Sequence, residues 1–204
     1  MAYVKLSDYV YDCSKCHTRC DGISKGSYHF EKDARFSEHY ENVIIERINN
    51  GGRYNATKCL QAGYPDVELT LKDGSLHHYL EVKVQQRTFM SVEKYLPHSS
   101  LKPSETVALN LSDLLRYFTI ENQTGIASGI VWVLLNRLCV VEEGKEKMFY
   151  QNTRKLKEIY EKEFLKRKFT RQSGEGDVID GVHKGVIVNY HFSLKELRLL
   201  NGWP

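Results

Sequence analysis

The chain has 204 residues, enough for one sizeable core and short for two full domains. Hydrophobic residues at 41% and charged residues at 27% suit a soluble globular protein, and no apolar run approaches the roughly 20 residues of a membrane span. A net charge of +3 is too small to name a partner, so the distribution of charge along the chain carries more information.

The opening, MAYVKLSDYVYDC, lacks the basic stretch and apolar run of a secretory leader, and a cytoplasmic location is expected. In that compartment the five cysteines are read as thiols or metal ligands rather than disulfides. Three of them, Cys13, Cys16 and Cys20, sit in DCSKCHTRC and make half of a zinc knuckle. No second CxxC follows, so a structural Zn²⁺ would need Cys59, His29 or His17 as its fourth ligand; the set taken forward is Cys13, Cys16, Cys20 and Cys59. Reduced thiols on a surface segment and an iron–sulfur cluster are the alternatives. Residues 1–33 are thus read as a Cys-rich arm ahead of one domain at 34–204. Cys139, within an apolar stretch, reads as a core residue.

Over 34–50, Phe36, Tyr40, Val43, Ile44 and Ile48 recur at helical spacing and the run stops at Gly51 and Gly52. Two alternating strands follow at 64–71 and 77–86, with Lys72, Asp73 and Gly74 as the turn. Val67, Leu69 and Leu71 share one side of the first, and Leu80, Val82 and Val84 one side of the second. Residues 88–106, with Pro97 and Pro103, read as a loop, and Ser112 as the cap of a helix through Leu114, Leu115, Tyr117, Phe118 and Ile120. IVWVLL at 130–135 is a continuous apolar strand, expected to be buried on both faces. A long charged helix is predicted over 148–171, a break over 173–181, a strand over 185–192, and a closing helix whose Ser193 and Glu196 form a capping box. The order helix, strand, strand, helix, strand predicts a mixed α/β sheet.

Asp66, Glu81 and Lys83 stand out in GYPDVELTLKDGSLHHYLEVKVQQR. Side chains alternate along a strand, so Glu81 and Lys83 share a face with Gln85, and a neighbouring strand can bring Asp66 opposite Glu81. Two carboxylates at one point repel unless a cation lies between them or one takes up a proton. Hard oxygen ligands suit Mg²⁺ or Mn²⁺, and a lysine beside such an ion offsets charge developing on a phosphate under attack.

Pro65-Asp66 followed at hairpin distance by Glu81-Val82-Lys83 resembles the signature of the PD-(D/E)xK nucleases, the superfamily of many type II restriction endonucleases, junction resolvases and repair nucleases. The helix, hairpin, helix, strand order from 34 to about 136 is similar to that family's common core. The resemblance implies a restriction-endonuclease-like fold with a mixed central sheet flanked by helices and an N-terminal Cys-rich arm. It implies a Mg²⁺- or Mn²⁺-dependent DNA endonuclease with Asp66 and Glu81 as metal ligands and Lys83 on the attacking water. A glutamate of the first helix would complete the site, Glu41 first, then Glu38, with Glu46 also on that helix. A type II restriction endonuclease cutting double-stranded DNA as a homodimer is the expectation. The alternatives are a junction-resolving, repair or phage-defence nuclease, or a non-catalytic zinc-bearing nucleic-acid-binding module.

Other groups have plainer readings. Glu68 shares the face of Asp66 and is expected to meet solvent, and Gln85 is an outside candidate for positioning water. His77 and His78, as strand neighbours, point to opposite faces and are expected to be exposed rather than joint ligands. Lys147, Arg154, Lys155, Lys157, Lys162, Lys166, Arg167, Lys168 and Arg171 make a basic helix at about 146–171 suited to phosphate contacts. Arg87, Lys94, His98 and Lys102 would sit on a loop able to enter a groove.

Overall fold

The computed structural model describes residues 3–5, 30–86, 88–135, 137, 139–141, 144–171, 178–179, 182–183 and 188–201. The elements are β1 (Tyr3–Lys5), α1 (Phe30–Asn50), β2 (Asn55–Lys58), β3 (Val67–Thr70), β4 (Leu76–Gln85), α2 (Val92–Tyr95), β5 (Thr106–Asn110), α3 (Leu111–Thr124), β6 (Ala127–Leu135), β7 (Glu146–Asn152), α4 (Thr153–Glu163), β8 (Lys168–Thr170), β9 (Val178–Ile179), β10 (Val182–His183), β11 (Val188–Ser193) and β12 (Arg198–Leu200).

Seven strands form the central sheet in the order β1-β12-β7-β6-β4-β3-β2. Among the described residues, only β4 and β6 run parallel, which requires a crossover, and α3 lies on it. The other pairs of the sheet are antiparallel. A second antiparallel sheet, β5-β11-β8, packs nearby. The mixed α/β architecture with flanking helices is the one expected from the sequence.

Each face of the central sheet has its own core. On one, Ile44 and Ile48 of α1 cover Val67, Leu69, Leu80, Val82, Val131 and Val133. On the other, Leu114, Tyr117, Phe118 and Ile120 of α3, with Leu156 and Ile159 of α4 and Tyr190 and Phe192 of β11, cover Tyr79, Ile130, Trp132 and Leu134. Because β6 lies between the two, every residue from Ser128 to Leu135 is buried, as its unbroken apolar run predicts. No helix among the described residues is long and apolar enough to cross a membrane.

Several expectations need correction. The charged helix predicted over 148–171 is instead strand β7, helix α4, a 3-10 turn at Phe164–Arg167 and strand β8. Met148, Phe149, Tyr150 and Gln151 are all buried, since β7 is flanked by β6 and β12 and covered on both faces, and a helix could not bury four successive residues so evenly. Helix α4 begins where the Asn152 side chain accepts the Lys155 N–H at 2.7 Å. The closing helix shrinks to one 3-10 turn, Leu194–Glu196, with the expected capping box, before β12 pairs with β7.

The loop predicted over 88–106 contains α2, a 3-10 turn at Pro103–Glu105 and a small core of Val92, Leu96 and Leu101. Strands β2 and β5 add to the elements expected. Ser112 is not the cap of α3: Asn110 precedes the helix, and Ser112 sits in its first turn. Of the break predicted over 173–181, the described residues are those of β9.

Candidate active site at the fork of two strands

Strands β3 and β4 pair from Thr70 to Val67, with Val67 facing Leu80. One residue further on, the strands part. Buried Pro65 has no N–H to continue the ladder, and Asp66 turns its carboxylate inward, so that the Val82 N–H donates to Asp66 Oδ2 at 2.8 Å. A side-chain oxygen thus takes the place of a ladder carbonyl. The same register brings Asp66 beside Glu81, close enough for the two carboxyl groups to shift each other.

Glu81 is 2% exposed, on the face of β4 that meets α3. Its Oε1 holds the Lys83 ammonium, and its Oε2 accepts the Tyr117 hydroxyl at 2.5 Å. Burial, opposed by Lys83 and aided by the Asp66 charge, pushes the Glu81 carboxyl up to about 7. Burial likewise raises Asp66 above the ordinary carboxylate range, against the Val82 N–H and Lys83, and the charge of Glu41 adds to the rise. Burial thus raises both members of the pair, so that the charged form of each is disfavoured at the fork. Burial by itself would lower Lys83, but the carboxylates of Glu81 and Asp66, with Asp113 behind them, hold it above the usual lysine range. Lys83 is therefore a fixed ammonium.

Glu41 does not join the pair directly. Its Oε2 lies 3.6 Å from Lys58 Nζ, and Glu38 takes the same ammonium at 2.9 Å. Glu46 is exposed. Among the described residues no three His, Cys, Asp or Glu side chains converge as a ready metal cage. The structure thus brings Asp66, Glu81 and Lys83 together and keeps Glu41 one lysine away.

Sequence reasoning missed the contribution of α3. Tyr117 had the helical spacing of a core residue, and its ring is one, yet its hydroxyl ends on Glu81. Asp113 and Arg116, on the same side of the helix, pair at 2.7 Å, and the Arg116 guanidinium lies 5.5 Å from the Tyr117 ring centre. The available signal was polar residues at i, i+3 and i+4 on an otherwise apolar helix.

The remaining candidates have structural partners. Gln85 bonds both the N–H and the carbonyl of Ala108, tying β4 to β5, rather than facing water. Glu68, expected in solvent, is half-buried beside Cys59. Burial first, then Glu68 and Asp66, pushes the Cys59 thiol up. Cys13, Cys16, Cys20, His17, His29 and Arg87 lie outside the described residues. Cys139 is half-buried against the α3-side core.

The paired histidines do not part to opposite faces as expected: the bulge leaves their rings 6.3 Å apart, and only one of them is exposed. His77 is exposed, stacks on Tyr54 at 5.1 Å and is the extra residue of a β-bulge. His78 is mostly buried, 3.1 Å from the Tyr150 hydroxyl, and burial lowers it to about 4, so it is a neutral ring within the fold. Gly129 makes room for this contact: a Cβ there would lie 2.3 Å from the Tyr150 ring.

The basic stretch is less free than its composition suggests. Arg167 is buried and donates to Glu196 at 2.6 Å, while Lys155 pairs with Glu158 and Lys166 with Glu163. Arg154 and Lys162 are the most exposed of its paired cations, at 80% and 82%. On the segment after β4, Lys102 pairs with Glu93, Lys94 lies over the Tyr95 ring, and His98 is exposed.

No protein-family model and no curated protein matches the chain. Among solved structures it is similar to Hjc, a Holliday junction resolvase from the archaeal hyperthermophile Archaeoglobus fulgidus, at 8% identity and a TM-score of 0.42, covering 78% of this chain and 84% of that one.

Proposed function

We propose that the protein is a Mg²⁺- or Mn²⁺-dependent DNA endonuclease of the PD-(D/E)xK type, with Asp66 and Glu81 as metal ligands and Lys83 beside the reacting phosphate. The observation that carries this reading is the fork itself: the buried Glu81 and half-buried Asp66 carboxyl groups side by side, with an ammonium in contact. Such a pair fits a hard divalent cation, because an ion held between the carboxylates relieves the repulsion between them. A structural fold alone would be more stable with an apolar pair at these positions.

Bound there, the ion would supply Lewis-acid polarisation of the phosphodiester and of a water. Lys83 then has a defined part. As a fixed ammonium it donates to the attacking water's oxygen or to a phosphate oxygen and offsets the negative charge that grows at phosphorus. The water oxygen bonds to phosphorus as the water gives a proton to solvent, and the bridging P–O bond breaks with a solvent proton taken up by the leaving oxygen, which leaves a phosphate monoester end and a free hydroxyl. Glu41, next to Lys58, is the group able to join the ligand set from α1 if Lys58 turns toward the nucleic acid.

The proposed substrate is double-stranded DNA, and the proposed assembly a homodimer whose two-fold axis matches two cuts on opposite strands. A type II restriction endonuclease is the reading within this class, and a junction-resolving enzyme the rival. A structural Zn²⁺ on Cys13, Cys16, Cys20 and Cys59 is part of the proposal, to be read from metal content after purification without added zinc. Supercoiled plasmid, linear duplex and a synthetic four-way junction, each incubated with Mg²⁺ or with chelator, test the whole reading. Discrete fragments from plasmid support restriction, and symmetric cuts confined to the junction support the rival. Intact substrates under every metal condition would remove the nuclease reading.

A further inference from the structure

Helix α3 meets the fork with Asp113, Arg116 and Tyr117, neighbours on one helical face. Asp113 Oδ1 holds Arg116 at 2.7 Å, and the guanidinium carbon lies 5.5 Å from the Tyr117 ring centre. The arginine stem packs beside Gly63, on the segment that leads to Asp66. A tyrosine hydroxyl has one proton to give. That proton goes to Glu81 Oε2, where the 2.5 Å contact is found.

Glu81 is then held at both oxygens by different means. Oε2 is held by a buried ring packed in the α3 core, whereas Oε1 meets the partly exposed Lys83 ammonium. We infer that Tyr117 is a positioning residue for the proposed cation site: its hydroxyl fixes the Glu81 carboxylate through Oε2 and leaves Oε1 as the oxygen offered toward Lys83 and Asp66. The inference rests on the nuclease reading and assigns to α3 a part in it. A tyrosine kept for packing alone would serve equally as phenylalanine, since the ring and not the hydroxyl fills the core. Hydrogen-bond partners that orient a metal ligand carry about 10- to 100-fold in metal affinity.

The test is Mn²⁺ titration of the DNA-free full chain by calorimetry, wild type beside Tyr117→Phe, with a melting curve and single-turnover cleavage for each. Tyr117→Phe should bind Mn²⁺ at least about 10-fold more weakly. Its kcat should fall with KM for DNA unchanged, and raised Mn²⁺ should restore part of the rate. Tyr117→Phe with wild-type Mn²⁺ affinity overturns the inference, whatever its melting temperature. If Tyr117→Phe does not fold, Arg116→Met decides, because Arg116 is exposed and its guanidinium lies against the Tyr117 ring, so that its loss loosens the ring that carries the hydroxyl. A smaller loss of Mn²⁺ affinity supports the inference, and none overturns it. Wild type that binds Mn²⁺ and cleaves while the variants match it defeats this inference alone. Wild type that neither binds nor cleaves defeats the nuclease reading and this inference with it.

Discussion

The two faces of β4 differ in what they do with burial. Toward α1, Leu80 and Val82 are almost wholly covered by Ile44 and Ile48, and the mostly buried His78 on that side is kept neutral. Toward α3, Glu81 is as deeply buried as Val82, both at 2% exposure, yet it carries a carboxyl next to a second carboxyl and an ammonium. One face converts burial into stability. The other spends stability to hold charges in a fixed arrangement, which is the pattern expected where a fold serves chemistry.

Substitutions on the two faces should therefore have opposite consequences, and the largest effect on stability belongs to the α1 side. Ile44→Ala removes a fully buried side chain and should cost about 3–4 kcal/mol in urea denaturation. The folded fraction should keep its cleavage rate; a comparable loss of activity per folded molecule would mean that the two faces are not separable.

His78 comes next. Its folded-state value near 4 lies below the ordinary 6.5, so protons bind more readily to the unfolded chain. The stability associated with neutral His78 is present above about pH 6.5 and lost as the pH falls toward 4. His78→Gln keeps a partner for Tyr150 without the titration. Between pH 7 and 4.5 it should lose roughly 2 kcal/mol less stability than wild type, by denaturation at each pH. Parallel pH profiles for the two proteins would place His78 outside this account.

The smallest effect is on the α3 side and has the reverse sign. Glu81 is raised from 4.5 to about 7, so the stability gained by its neutral form is fully present below 4.5 and lost as the pH rises through 7. Glu81→Gln imitates the neutral form. It should be more stable than wild type by about 1–2 kcal/mol at pH 8.5, equal near pH 4.5, and inactive throughout. A variant less stable than wild type at pH 8.5 would show that the Lys83 contact outweighs the cost of the buried charge.

Much of this arrangement was legible in the sequence. The 3.6-residue period of α1, the alternation of the hairpin and the unbroken apolar run of β6 place these elements close to where they stand. Pairing Asp66 with Glu81 required only strand alternation and the turn at Gly74. What escaped had no local signal. Strand β7 passes into α4 without a glycine or proline, so EKMFYQN reads as the start of a charged helix until its two neighbouring strands are known. The hydroxyl of Tyr117 and the anchoring of Gln85 on Ala108 depend on contacts across 36 and 23 residues. Arg167 looks like a phosphate ligand in a basic run, and only the fold shows it buried against Glu196.

The central claim is that the charged face of β4 hydrolyses a phosphodiester. The most direct test is single-turnover cleavage of duplex or junction DNA in Mg²⁺ by wild type, Asp66→Asn and Lys83→Met, each first shown to be folded by its melting curve. Both variants should retain the fold and lose cleavage by at least about 10³-fold, a transition-state loss near 4 kcal/mol. A folded Lys83→Met that cleaves at the wild-type rate would contradict the claim.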